Sequence, residues 1–319
     1  MRKSIFALIV TAFIVLLTVL LTGCQHVIPS GGAPSDPQAQ WKFSNPFSSL
    51  TESGELVIRC LDIGQGDATL ISWQGKWTLI DTGDVEHRSA LTQYLDRYGV
   101  KEVENLIITH PDGDHLGGAY AVLKHVPVRY VFDDGLTKTN AIYRTYLKTL
   151  DKKGLRPYVL TQGLQVDLGA GVYLDVLGPT ENVMYKKGMP DYNNHSIVMK
   201  LVANQFTMLF TGDAEKRQEH ELLQAHGKRL AATVLKVGHH GSKTGTTKSF
   251  LAAVRPQVAT ISSGRGNPYG VPHAPVLKRL QKRGIRIYRT DRNGIITVRT
   301  DGNTYTVEGE YNEADPTRY

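Results

Sequence analysis

Six consecutive residues, His110-Pro111-Asp112-Gly113-Asp114-His115, place two imidazoles and two carboxylates directly after an apolar, strand-like run, Asn105–Thr109. Borderline divalent cations accept these ligand types. A loop that turns alternate side chains inward would let His110 and Asp112 serve one ion and Asp114 and His115 a second; the competing reading is a solvated acidic loop. Two later stretches have a related character. Phe210-Thr211-Gly212-Asp213 ends an apolar strand in a sharp turn carrying a carboxylate, which a two-metal site needs as a bridge. Val237-Gly238-His239-His240-Gly241-Ser242 sets two adjacent histidines between glycines at a strand end, a poor arrangement for a core, so at least one of them is expected to bind metal or donate a proton. His195, just before the strand Ser196–Val202, is a further candidate ligand. The remaining histidines His26, His87, His125, His220 and His226 read as surface or helix-face residues, and His273 ends a Gly- and Pro-rich loop.

These loops need strands and helices to hold them. Strands are expected at 55–61, 68–73, 76–80, 105–109, 129–132, 196–202, 206–210, 234–237 and 258–261, with short strands up to Val307. Helices are expected at 88–98, where Leu91, Tyr94, Leu95 and Tyr98 share a face, and at 116–125, 139–152, 215–226, 249–254 and 275–283. Helices between β-pairs imply a layered α/β body with two sheets inside and helices outside.

The 319 residues have 41% hydrophobic and 21% charged content, as a globular chain does. Arg2 and Lys3 precede an apolar run from Ile5 to Leu21, and Leu21-Thr22-Gly23-Cys24 resembles a bacterial lipobox. Residues 1–24 therefore read as a lipoprotein signal with Cys24 as the lipidated residue, which places the body on the outer face of the cell membrane; the competing reading is an uncleaved transmembrane anchor. Pro, Gly, Ser and Gln dominate 25–54, a flexible tether. Residues 55–310 form the catalytic body and 311–319 a tail. Losing Arg2 and Lys3 lowers the formal charge from +7 to +5, a modest balance that suits a polyanionic substrate or an anionic surface. With Cys24 assigned, Cys60 stands alone in an apolar run and reads as a small buried side chain.

Seven ordered motifs carry a resemblance: Leu61–Ala68 (LDIGQGDA), Leu79–Gly83 (LIDTG), His110–Gly118 (HPDGDHLGG), Asn193–Ser196 (NNHS), Thr211–Asp213 (TGD), Leu235–Ser242 (LKVGHHGS) and Asn267–Gly270 (NPYG). Together they resemble the metallo-β-lactamase superfamily, and more narrowly its ComEC-type branch, named for the bacterial competence DNA-uptake channel. The resemblance runs from about Glu55 to Val307. It implies an αββα sandwich with two divalent metal ions at one edge of the sheets. By position, His110, Asp112, Asp114, His115, Asp213 and His239 look like metal ligands, His195 suits the superfamily's fourth-histidine location, and Asp67 and Asp81 look like residues that orient ligands. Asp112 replaces the superfamily's usual middle histidine; the site becomes harder, and manganese joins zinc as a plausible ion. Val271 stands where the branch often has histidine before Pro272.

The mechanism implied is attack by a metal-bound water that Asp114 orients, with Lys243 or an amide near Gly241 stabilising phosphoryl charge and His240 or His273 protonating the leaving oxygen. Asn194, Ser196, Ser242, Lys243 and Tyr269 are the expected substrate contacts. The favoured function is a phosphodiesterase or nuclease acting on DNA, alone or beside a separate DNA-uptake machinery. Hydrolysis of a cell-envelope phosphodiester or ester is the alternative; a β-lactamase or a non-catalytic binding module fits less well.

Overall fold

The computed structural model describes residues 54–311. The expected leader with Cys24, nearly all of the expected tether and the residues beyond Tyr311 lie outside them.

Alternation along the strands builds three layers of core. In Phe206–Phe210, the side chains of Phe206, Met208 and Phe210 enter one apolar cluster and Leu209 the opposite one. A period of two with both faces apolar is the pattern of a strand buried on both sides. Strands β1 (Leu56–Cys60), β2 (Thr69–Trp73), β3 (Lys76–Ile80), β4 (Val103–Ile107), β5 (Val128–Asp133) and β6 (Pro157–Val159) belong to an eight-stranded sheet. Next along the chain, β7 (Gln165–Gly169) and β8 (Val172–Gly178) open the second sheet, and β9 (Tyr185–Lys186) and β10 (Met189–Pro190) form a small hairpin. Strands β11 (Val198–Ala203), β12 (Phe206–Phe210), β13 (Val234–Lys236), β14 (Val258–Ile261) and β15 (Arg286–Arg289) complete that seven-stranded sheet. The last two, β16 (Ile296–Thr300) and β17 (Tyr305–Gly309), return to the first sheet, whose order is β17-β16-β1-β2-β3-β4-β5-β6.

One cluster lies between the sheets, joining Ile58, Ile71 and Ile107 to Leu174, Met199 and Met208. Helices cover the outer faces. On the first sheet lie α1 (Arg88–Arg97), the single turn α2 (Gly113–Leu116), α3 (Ala119–His125) and α4 (Ala141–Lys153), through Leu91, Leu95, Val122 and Tyr146. On the second lie α5 (Lys216–His226), α6 (Lys248–Val254) and α7 (Ala274–Lys282), through Leu222, Leu251, Val276 and Leu280. The single turn α8 (Thr290–Asn293) precedes β16. The result is the expected αββα sandwich. Helix ends follow local chemistry: the Asn140 side chain accepts from the Tyr143 amide, and Gly154 closes α4 at φ 67°. Among the described residues no helix is long and apolar enough to cross a membrane.

Three details differ from expectation. The helix anticipated at 116–125 is broken into α2 and α3, because Gly117 and Gly118 pack against the 82–85 backbone; a Cβ on Gly118 would sit 2.1 Å from the Thr82 carbonyl oxygen. The strand expected to run to Thr109 stops at Ile107, because the Thr109 amide turns to the Asp81 carboxylate. The stretch 157–190, which the sequence reading leaves unassigned, supplies β6 to β10. Cys60 is fully buried and unbridged, with its thiol against Thr260.

Candidate metal centre

Strands β3 and β4 run parallel, as do β12 and β13, so each pair ends on one side and delivers its following loop there. The loop after β3 carries Asp81, that after β4 carries His110 to His115, that after β12 carries Asp213, and that after β13 carries His239 and His240. Backbone bonds tie the corners together: Thr82 N to His115 O (2.7 Å), Asp67 N to Asp114 O (3.1 Å), Ile197 N to Thr109 O (2.9 Å) and His239 N to Gly212 O (3.1 Å). Gly212 has φ 47°, and a Cβ there would lie 2.8 Å from the Ser196 Cβ; only glycine fits without displacement.

Asp213 is the hub. Its Oδ1 faces His115 Nε2 at 3.2 Å and His240 Nε2 at 3.8 Å, and its Oδ2 faces His239 Nε2 at 3.6 Å and His110 Nε2 at 3.9 Å. The same division extends outward. Asp114 Oδ2 lies 3.3 Å from His240, and Asp112 Oδ2 lies 3.9 Å from His110. One carboxylate thus stands between two groups, His115, His240 and Asp114 on one side and His110, His239 and Asp112 on the other.

Supporting residues fix the ring orientations. Asp81 accepts from the Thr109 amide (2.7 Å) and hydroxyl (2.8 Å) and holds His115 Nδ1 at 2.8 Å, which leaves His115 Nε2 for the centre. His240 Nδ1 meets the Ser262 carbonyl at 3.0 Å, and His239 Nδ1 lies 3.1 Å from the Thr244 hydroxyl and 3.2 Å from Glu215. His239 and His240 both sit in the left-handed region (φ 50° and 53°), a strain of about 1–3 kcal/mol each that the surrounding fold must hold.

Electrostatics mark the centre as incomplete in protein atoms alone. Burial pushes His110 down, with His115 adding to the effect. Burial opposes a charge on His115 and His240, yet Asp213, with Asp81 beside the first and Asp114 beside the second, holds both above the ordinary histidine value. Burial would likewise raise Asp213, but His115 and His240 hold it well below the usual carboxylate range. The Nε2 atoms of His110, His115 and His240 and Oδ1 of Asp213 are buried without a well-formed hydrogen bond. Leaving such atoms unsatisfied costs about 1–3 kcal/mol each, and bound cations would satisfy all four. Asp67, His115, Asp213 and His240 offer ligand atoms all within 4.8 Å of one another. The donor set fits divalent metal.

Other expected residues fall elsewhere. His195 is buried, its Nδ1 has no hydrogen-bond partner, and its ring makes no ion pair with the central carboxylates among the described residues. His240, expected as a proton donor, lies buried among the ligands. Asn194 and Ser196, expected at substrate, are buried and committed to the scaffold: Asn194 Oδ1 accepts from the Gln218 amide and Ser196 Oγ from the Asp213 amide. Ser242 is buried and accepts from the Thr244 hydroxyl. Lys243 and Tyr269 are exposed. The Lys243 amide donates to His273 Nδ1 at 3.1 Å, which leaves the proton of a neutral His273 ring on Nε2.

Sequence reasoning missed two lysines. Lys236, inside β13, is buried and pairs with Asp67 Oδ1 at 2.7 Å, linking the sheets beneath the centre. Lys138 pairs with Asp112 at the rim. Neither has a spacing signal; Lys236 is one cation in an apolar strand and Lys138 one in a polar loop.

Residues 61–136 match the family described as the metallo-beta-lactamase superfamily. ComE operon protein 3 of Bacillus subtilis is 33% identical over 85% of this chain and 36% of its own length. Recombination protein 2 of Haemophilus influenzae is 36% identical over 76% of this chain and 28% of its own. The chain thus spans about a third of these relatives. Among solved structures, the metallo hydrolase Igni18 from Ignicoccus hospitalis shares the fold with a TM-score of 0.50 and 16% identity, covering 76% of this chain and 98% of that one.

Proposed function

Because the chain belongs to the metallo-beta-lactamase superfamily and is related to competence proteins, we propose that this metal-dependent hydrolase cleaves phosphodiesters, with DNA as the favoured substrate, while tethered by a lipid on Cys24 to the outer face of the cell membrane. The observation that carries the reading is the division of ligands about Asp213 into two groups of three. His110, Asp112 and His239 would hold one divalent ion, zinc or manganese, and His115, His240 and Asp114 the other, with Asp213 shared. When bound, such a pair supplies a water acidic enough to attack at neutral pH and neutralises charge on the phosphoryl oxygens.

The chain's own residues do the rest. Asp81 and Ser262 hold the rings of His115 and His240. Asp114, partly exposed beside His240, orients the attacking water. His273, with its proton on Nε2, donates to the leaving oxygen.

Purified protein loaded with zinc or manganese is expected to hydrolyse a chromogenic phosphodiester and single-stranded DNA, to lose this on chelation, and to leave a β-lactam intact. Cleavage of the β-lactam alone would replace this reading. Mass spectrometry of the membrane-extracted chain that finds Cys24 as a lipidated N-terminus would support the anchor; an unmodified Cys24 still preceded by residues 1–23 would refute it.

A further inference from the structure

Lys138 is not an ordinary surface lysine. Its side chain is only 19% exposed, and its Nζ pairs with Asp112 Oδ1 while Asp112 Oδ2 faces His110. The ammonium also lies 4.2 Å from the centroid of the Tyr192 ring, and the Tyr192 hydroxyl donates to the neighbouring Thr137 carbonyl at 3.0 Å. A carboxylate and an aromatic face together fix one cation at the mouth of the centre.

Charge counting says what this cation is for. Asp67, Asp81, Asp112, Asp114 and Asp213 surround the centre with five negative charges. Two divalent ions and the buried Lys236 balance them. Glu215, at the edge, is answered by Lys186 at 3.8 Å. Lys138 then contributes one positive charge beyond neutrality, held at the rim beside the His110 group. A metal held by Asp112 would draw charge from its pairing with the ammonium, and the Tyr192 ring would still hold the side chain in place.

We propose that Lys138 is a substrate-binding residue whose ammonium grips a non-bridging oxygen of a phosphodiester at the centre, with Tyr192 as its positioning residue. The proposal rests on the phosphodiester reading for its substrate but only on geometry and charge for its anion.

The metal-loaded full chain tests it, with inorganic phosphate as calorimetric probe and bound metal measured by mass spectrometry. Lys138→Met is expected to weaken phosphate binding about tenfold at unchanged metal content, and Lys138→Arg to restore most of it. With a single-stranded oligonucleotide, Lys138→Met should lower the salt slope of binding by about one ion. Tyr192→Leu should weaken phosphate binding less than Lys138→Met does, with metal content again unchanged. Phosphate affinity that stays the same in Lys138→Met, or falls only in step with bound metal, overturns the proposal. A chain that binds phosphate through Lys138 yet cleaves no phosphodiester would retire the proposed activity and leave the anion subsite standing.

Discussion

The two sheets equip the centre in different ways. The first delivers its ligands as a single run, His110 to His115, braced by hydrogen bonds that Thr109 and the His115 ring make to the Asp81 carboxylate. The second delivers Asp213 behind a glycine at φ 47° and two histidines on consecutive left-handed residues. One half is dense in ligands and, at the centre, confines its left-handed non-glycine backbone to the brace, Asp81 (φ 57°); the other is sparse and puts two of the ligand residues themselves, His239 and His240, on such backbone. A site of this kind forms cooperatively, since neither half offers a finished set.

Removing the shared residue should break the arrangement most completely. Asp213→Asn takes the carboxylate from between four histidines. Bound metal should fall below one ion per chain and hydrolysis by at least about a thousandfold, with circular dichroism unchanged. Retention of both metal and rate would show that the halves do not converge through it. Next in size is the strut between the halves. Lys236→Met leaves Asp67 charged and buried, expected to cost about 3–5 kcal/mol in denaturant unfolding; adding Asp67→Asn should return much of that, and an additive double variant would argue against the pairing.

A third test concerns a buried acid of the first half away from the ligands. Burial raises the Asp133 carboxyl from 3.8 to about 6. A raised folded value means that the fold prefers the neutral acid, so its contribution is complete below about pH 4 and lost as pH rises through 6. Asp133→Asn should therefore stabilise by up to about 3 kcal/mol at pH 7 and have no effect near pH 4, as thermal melts at the two pH values would reveal; the same gain at both would point to a cause other than ionisation. The smallest effect is expected from loosening a brace: Asp81→Asn should weaken metal binding about 10- to 100-fold, with a lesser loss for Thr244→Val beside His239. A reversed ranking would make the strained half, not the braced one, the determinant of affinity.

Much of this was legible in the chain. The run from His110 to His115 speaks for itself because its ligands are adjacent, and Phe206–Phe210 and Lys76–Ile80 were bounded correctly because alternation and turns mark their ends. The pairing of His239 with Asp213 Oδ2 and His240 with Oδ1 was not legible, since it depends on two left-handed backbone positions that no residue type announces. His195 is buried as a ligand would be, with its Nδ1 unpartnered, but which way a turn before a strand aims a ring is not written in the spacing. Lys236 stayed hidden because a lone buried cation is defined by its distant partner, Asp67.

The pairing of β1 with β16, Leu56 opposite Thr300, has a consequence for how the molecule is made. During synthesis β1 emerges early, but its outer edge has no neighbour until some 240 residues later have left the ribosome. That edge, flanked by Leu56, Ile58 and Cys60, is an aggregation hazard for the whole interval, and any truncation before Ile296 would make the hazard permanent.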